Sequence, residues 1–127
     1  RYAEVVEEPV LTVARRQDKS NRQNSIDDMC EETKQWWEES QQNQWELCYE
    51  TYKASLDQGI AKEVARNILP AMAPTRIYMT GSVRSWIHYI QLRTGNGTQK
   101  EHMDIANGCK EILSGELPII GEALGWA

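Results

Sequence analysis

Thr80-Gly81-Ser82-Val83-Arg84-Ser85-Trp86-Ile87-His88-Tyr89-Ile90-Gln91-Leu92-Arg93 is the stretch that decides how the chain reads. Gly81 and Ser82 turn the backbone, and Ser82 or Thr80 offers an oxygen to the orphan amides of a helix start. Val83, Trp86, Ile87 and Ile90 then recur at helical steps and define an apolar face over residues 83–92. Arg84, His88 and Gln91 share the other face at i, i+4 and i+7.

Working back from this helix, Arg76 to Thr80 (RIYMT) has the composition of a short strand, and Pro74 precedes it. A helix is expected over Ala61 to Leu69, with Ile60, Val64 and Ile68 as its apolar edge and Pro70 as its stop. Arg66 lies about 160° from that edge at ~100° per residue. A longer helix is expected from Ser25 to Gln58. Ser25 is its cap, Asp27 and Asp28 favour its positive end, and Gly59 is its stop. Trp37, Trp45, Cys48, Tyr49, Tyr52 and Leu56 fall on one stripe of it, which reads as core packing rather than a platform for stacked bases. Before it, Ala3 to Val6 and Val10 to Ala14 are β-compatible runs. Arg15 to Ser25 (RRQDKSNRQNS) reads as a polar loop: a solvated linker or, through Arg15, Arg16 and Arg22, an anion-facing one.

Downstream, Arg93-Thr94-Gly95-Asn96-Gly97-Thr98 is a glycine-bearing loop. A helix over Gln99 to Ser114 turns Met103, Ala106, Cys109 and Leu113 inward, and residues 117–127 offer one more short helix. The fold class is therefore α+β and mostly helical, with short strands near the N-terminus and around 75–80. No repeat or linker is visible, so residues 1–127 are read as one domain.

Composition narrows the function. With 127 residues, 40% of them hydrophobic and 26% charged, the chain can bury a core. No apolar run approaches the ~18 residues of a membrane span. The net charge of −5 disfavours nucleic acid and anionic membranes as partners. Cys30, Cys48 and Cys109 are odd in number and far apart, so a disulfide framework or zinc site is poorly supported and a reducing cytoplasm is the expected location. The two histidines, His88 and His102, lie on different helices without metal-ligand spacing, so no metal is expected. A P-loop, GxGxxG, HExxH and a nucleophilic triad are all lacking. What remains is a set of Arg66, Arg84, His88 and Arg93. Surface ion pairing with the nineteen acidic residues is the plain explanation. A binding wall for a planar, phosphate-bearing ligand is the sharper one, because Arg offers phosphate a fork of donors.

A family resemblance favours the second explanation. Glu63-Val64-Ala65-Arg66-Asn67-Ile68-Leu69-Pro70 resembles the "E-x-A-R-x-x-L-P" helix of flavin-dependent thymidylate synthases. Residues 80–93 resemble that family's "T-(G/V)-N-x-R-(S/A)-(L/W)-x-(H/N)-F-x-x-(L/M)-R" segment, and Thr98-Gln99-Lys100-Glu101-His102 its "A-Q-x-E-I" helix start. Arg1-Tyr2 fit the last two positions of its R-H-R-x-x-S-x-N-E-x-S-x-R-Y signature. The likeness is detailed over the second half of the chain and looser over residues 3–58. It implies the C-terminal portion of such an enzyme, from a split or truncated chain and inactive without its N-terminal portion.

The family methylates dUMP to dTMP. Methylenetetrahydrofolate supplies the carbon, FAD carries hydride and NADPH recharges the flavin. The resemblance implies that Arg93 contacts and polarises the uracil ring, and that Arg1 and Arg66 hold the nucleotide, chiefly its phosphate. It implies that Arg84 and His88 contact flavin, with Ser82 and Asn96 as further cofactor contacts. It also implies a homotetramer or a heteromeric equivalent. The family often has Asn where this chain has Ser82 and His where it has Gly97. A non-catalytic helical interaction domain and a flavin-free nucleotide-binding module are the two alternatives.

Overall fold

The computed structural model describes residues 4–5, 8–95 and 97–126, and it is mostly helical with one small antiparallel sheet. The chain separates into two compact units. The first comprises Arg1–Ala14 and Asp28–Tyr78, the second Arg15–Asp27 and Met79–Ala127.

The first unit is organised by α1, Glu31–Asp57. Its expected aromatic stripe is the buried one: Trp45 and Tyr52 are almost fully covered, and Tyr49 stacks between them with ring centroids 5.1 and 6.2 Å away. Trp37 stays 37% exposed, so the stripe fades towards the helix start. Gln41 is buried on the same helix, and apolar periodicity could not reveal it. Its carbonyl accepts from the backbone N–H of Thr12 at 2.9 Å and from the Thr12 hydroxyl at 3.0 Å. Its amide donates to the Thr12 carbonyl at 2.9 Å. Tyr49 in turn donates to the Val5 carbonyl at 3.1 Å. The N-terminal segment thus satisfies part of its backbone on α1 side chains, and Val10 to Ala14 forms no strand ladder.

The stop of α1 is as expected. Gly59 has φ +81, its N–H reaches the Leu56 carbonyl, and the Ile60 N–H reaches that of Ser55. This is the paired closure that a left-handed residue permits. The start differs: α1 begins behind Cys30, not Ser25. Ser25 is engaged elsewhere, in the second unit's sheet.

The expected helix over residues 61–69 is a four-residue α2, Lys62–Ala65, tightening into a 3₁₀ turn, Arg66–Ile68. The side buried against α1 is Ala65, while Ile60, Val64 and Ile68 are exposed. A small side chain allows close approach, and the tighter winding changes which positions line up. The expected strand at Arg76 to Thr80 is not formed. These residues are exposed and irregular, with no ladder partner among the described residues. A strand exists only as part of a pair.

In the second unit, the polar segment is a hairpin rather than a loose linker. Strand β1, Arg16–Gln17, pairs antiparallel with β2, Ser25–Ile26. Asp18 organises the turn. One carboxylate oxygen accepts from the Ser20 N–H and hydroxyl, both at 2.8 Å, and from the Asn21 N–H at 3.2 Å. The other accepts from the Asn24 amide at 3.2 Å. Helices α3, Val83–Arg93, and α4, Lys100–Glu116, pack together, with Ile90 and Ala106 buried. Pro118 starts the short α5, Pro118–Ala123, as its fixed φ favours. Gly121 lets α5 approach α4 closely, since a Cβ there would lie 3.1 Å from the Ser114 Cβ.

Two outcomes follow from these contacts. Gln41→Leu leaves the Thr12 backbone unpaired at a part-buried site, so chemical denaturation should show a loss of about 1–3 kcal/mol; an unchanged midpoint contradicts the role given to Gln41. Bonds from the Ser20 hydroxyl, then from the Ser20 and Asn21 amides and Asn24, outweigh desolvation and hold the Asp18 carboxyl at about 2, below its ordinary 3.8. The folded value is depressed, so the contribution is complete above 3.8 and is lost as pH falls through about 2. Amide NMR shifts of Ser20 and Asn21 should titrate in that acid window, and Asp18→Asn should abolish the titration.

Candidate functional site

Helix α3 carries most of the residues singled out from sequence. Ser82 is its N-cap: the hydroxyl accepts from the Ser85 N–H at 3.2 Å and lies 3.0 Å from the Ser85 hydroxyl. Ile90 is the buried anchor, with Trp86, Ile87 and Tyr89 half-buried around it. That burial fixes the rotation of the helix and turns Arg84, His88 and Gln91 to the exposed side. Arg84 and His88 therefore stand one turn apart on one solvent-facing stripe.

Arg93 is exposed at the C-terminal end of α3 but belongs to another stripe. Nine residues at ~100° each put it about 180° from Arg84 and within ~20° of Trp86. It follows Tyr89 by one turn. Arg66 lies in the first unit, exposed on the 3₁₀ turn and with a bonded partner. Arg1 and Asn96 fall outside the described residues. Arg84, His88, Arg93 and Ser82 thus come from one helix, and Arg66 from a separate unit.

The loop after α3 is held at both ends. Thr94 closes the helix by donating both its N–H, at 2.9 Å, and its hydroxyl, at 2.8 Å, to the Ile90 carbonyl. Gly97 has φ +92, and a Cβ there would lie 3.4 Å from the Asn21 side-chain amide of the hairpin. The first turn of α4 receives the hairpin through Arg15, which bonds Glu101 at 2.6 Å and the Ser25 hydroxyl at 2.9 Å. Arg15 is thus committed to an internal ion pair rather than offered to an anion. Burial pushes the Glu101 carboxyl up, but its own backbone amide, then Arg15 and Gln99, outweigh burial and hold it below the usual range.

The same turn presents His102, whose Nε2 lies 3.1 Å from the Tyr89 hydroxyl. Sequence reading passed over this pair because the partners are thirteen residues apart on different helices. The apolar recess between α3 and α4, lined by Trp86, Ile90, Cys109, Ile112 and Leu113, offers no partner for a charged ligand. On α3 the donors with anion-binding chemistry are Arg84 and His88 on the exposed stripe and Arg93 at its end. No group of three or more His, Cys, Asp or Glu able to hold a metal ion occurs among the described residues. No helix among them is long and apolar enough to cross a membrane.

A family model described as thymidylate synthase complementing protein matches residues 1–119. The chain is 53% identical over 126 residues to a probable flavin-dependent thymidylate synthase of Paramecium bursaria Chlorella virus 1, covering 99% of this chain and 58% of the relative. It is 50% identical over 113 residues to the flavin-dependent thymidylate synthase of Synechocystis sp., covering 89% and 53%. It is 34% identical over 110 residues to that of Kosmotoga olearia, covering 84% and 46%. The chain spans about half the length of these relatives.

Proposed function

The chain belongs to the flavin-dependent thymidylate synthase family, and from that premise we propose that it forms part of an enzyme converting dUMP to dTMP with FAD, NADPH and methylenetetrahydrofolate. The observation that carries the reading is the family match over residues 1–119, which includes every candidate site residue. The donor chemistry agrees with it. Arg84 and His88 are exposed, one turn apart and able to donate to a single planar, anionic group. FAD, when bound, supplies the hydride-carrying chemistry, and this chain's residues bind and orient.

In this reading Arg84 and His88 hold the flavin, with Ser82 and Asn96 as neighbouring contacts. Ser82 acts chiefly through its backbone and the helix start, because its hydroxyl is engaged as a cap. Arg66 and Arg1 bind the nucleotide, chiefly at its phosphate, where each charge-assisted bond contributes about 1.5–3 kcal/mol. Arg93 donates to the uracil ring and stabilises negative charge as C5 becomes nucleophilic, about 2–4 kcal/mol by analogy with single oxyanion donors. No protein nucleophile is required. The working enzyme is a cytoplasmic homotetramer or heteromeric equivalent, and turnover needs the portion of the relatives that this chain does not span.

The test is co-expression of the chain with a polypeptide covering that remaining portion. The complex should be yellow and should form dTMP, while the chain alone should not. Arg93→Ala in the complex should lower turnover roughly 10²–10³-fold with the flavin spectrum retained. A fully active variant, or a colourless and inactive complex, overturns the assignment.

A further inference from the structure

Tyr89 and His102 lie thirteen residues apart, on α3 and α4, and in the structure their side chains meet. The Tyr89 hydroxyl and His102 Nε2 share a hydrogen bond of 3.1 Å, and their ring centroids are 5.7 Å apart. Trp86 meets Tyr89 edge-on, with centroids 5.6 Å apart at 90°. Both partners are half-buried. A polar group placed alone at either position would lose water without gaining a partner. Together they satisfy one another, so the two residues form a coupled unit.

The location of the couple gives it a consequence beyond stability. Tyr89 precedes Arg93 by one helical turn, ~40° away around α3. Between them the helix is regular, and Thr94 closes it with two bonds to the Ile90 carbonyl. The rotation and tilt of the Tyr89 turn are therefore passed directly to the Arg93 turn. The other partner is equally fixed: Glu101, next to His102, is held by Arg15 at 2.6 Å and by Gln99 at 3.0 Å. The first turn of α4 is thus gripped on one side by the hairpin and on the other by α3.

We propose that Tyr89 and His102 are positioning residues, a hydrogen-bonded brace from α4 that sets the orientation of Arg93 towards the pyrimidine. The assignment rests on the proposed function, since it takes Arg93 as the uracil donor. Neither residue touches a reacting atom; both act through the last turn of α3.

The experiment compares Tyr89→Phe, His102→Ile and the Tyr89→Phe/His102→Ile double variant in the co-expressed complex. Melting is measured first, then dUMP kinetics well below the melting midpoint. Each single variant should melt a few degrees lower. Each should also lose about five- to tenfold in kcat/KM for dUMP with an unchanged flavin spectrum, the loss corresponding to one neutral hydrogen bond. The double variant should recover most of both losses, because an apolar pair restores a matched contact. Single variants that melt lower yet keep full kcat/KM would make the couple structural only and overturn the positioning role. A double variant no better than the sum of the two singles would overturn the coupling itself. A wild-type complex that fails to turn over dUMP sinks the proposed function and the positioning role with it. That result remains distinguishable, because recovery of melting in the double variant reports on the couple without reference to nucleotide.

Discussion

Burial of Ile90 where α3 packs on α4 is the constraint from which the arrangement of the second unit follows. Covering a side chain of this size contributes about 1.5–3 kcal/mol, and a helix cannot rotate without surrendering it. An exposed ion pair contributes about 0–1 kcal/mol, so the charges on α3 do not choose its orientation; they take what the apolar face leaves. The exposed stripe of Arg84, His88 and Gln91 is thus a consequence of packing.

The polar contacts refine what apolar burial begins. Arg15 with Glu101, and Tyr89 with His102, tie the hairpin and α3 to the first turn of α4. The ion pair is part-buried and charge-assisted, so its energy exceeds that of a surface pair. In the first unit Gln41 plays a comparable part, since its amide joins the Thr12 backbone to α1. In each case a directional bond fixes a register that non-directional burial leaves open.

The helices were largely legible in the sequence because their signals are local. Periodic apolar residues over 83–92, the Ser82 cap and the glycine stop at Gly59 all use neighbours a few positions away. The illegible parts depend on distant partners. Ser25 has the chemistry of a cap, yet its hydroxyl is taken by Arg15 and its backbone by the hairpin. Arg76 to Thr80 has strand composition but no strand to pair with among the described residues. Val64 and Ile68 looked like a buried edge, whereas the small Ala65 is the residue the packing covers. The site shows the same division. The shared stripe of Arg84 and His88 follows from their spacing, whereas the brace between Tyr89 and His102 required the fold to bring two helices together.

The central claim is that the exposed stripe of α3 is a flavin-binding wall. Flavin absorbance per mole of purified complex, compared between the unaltered protein and an Arg84→Ala/His88→Ala variant, tests it most directly. The account predicts near-stoichiometric flavin in the first and little in the second, at matched yield and helical content. A doubly substituted complex that retains its full complement of flavin would contradict it.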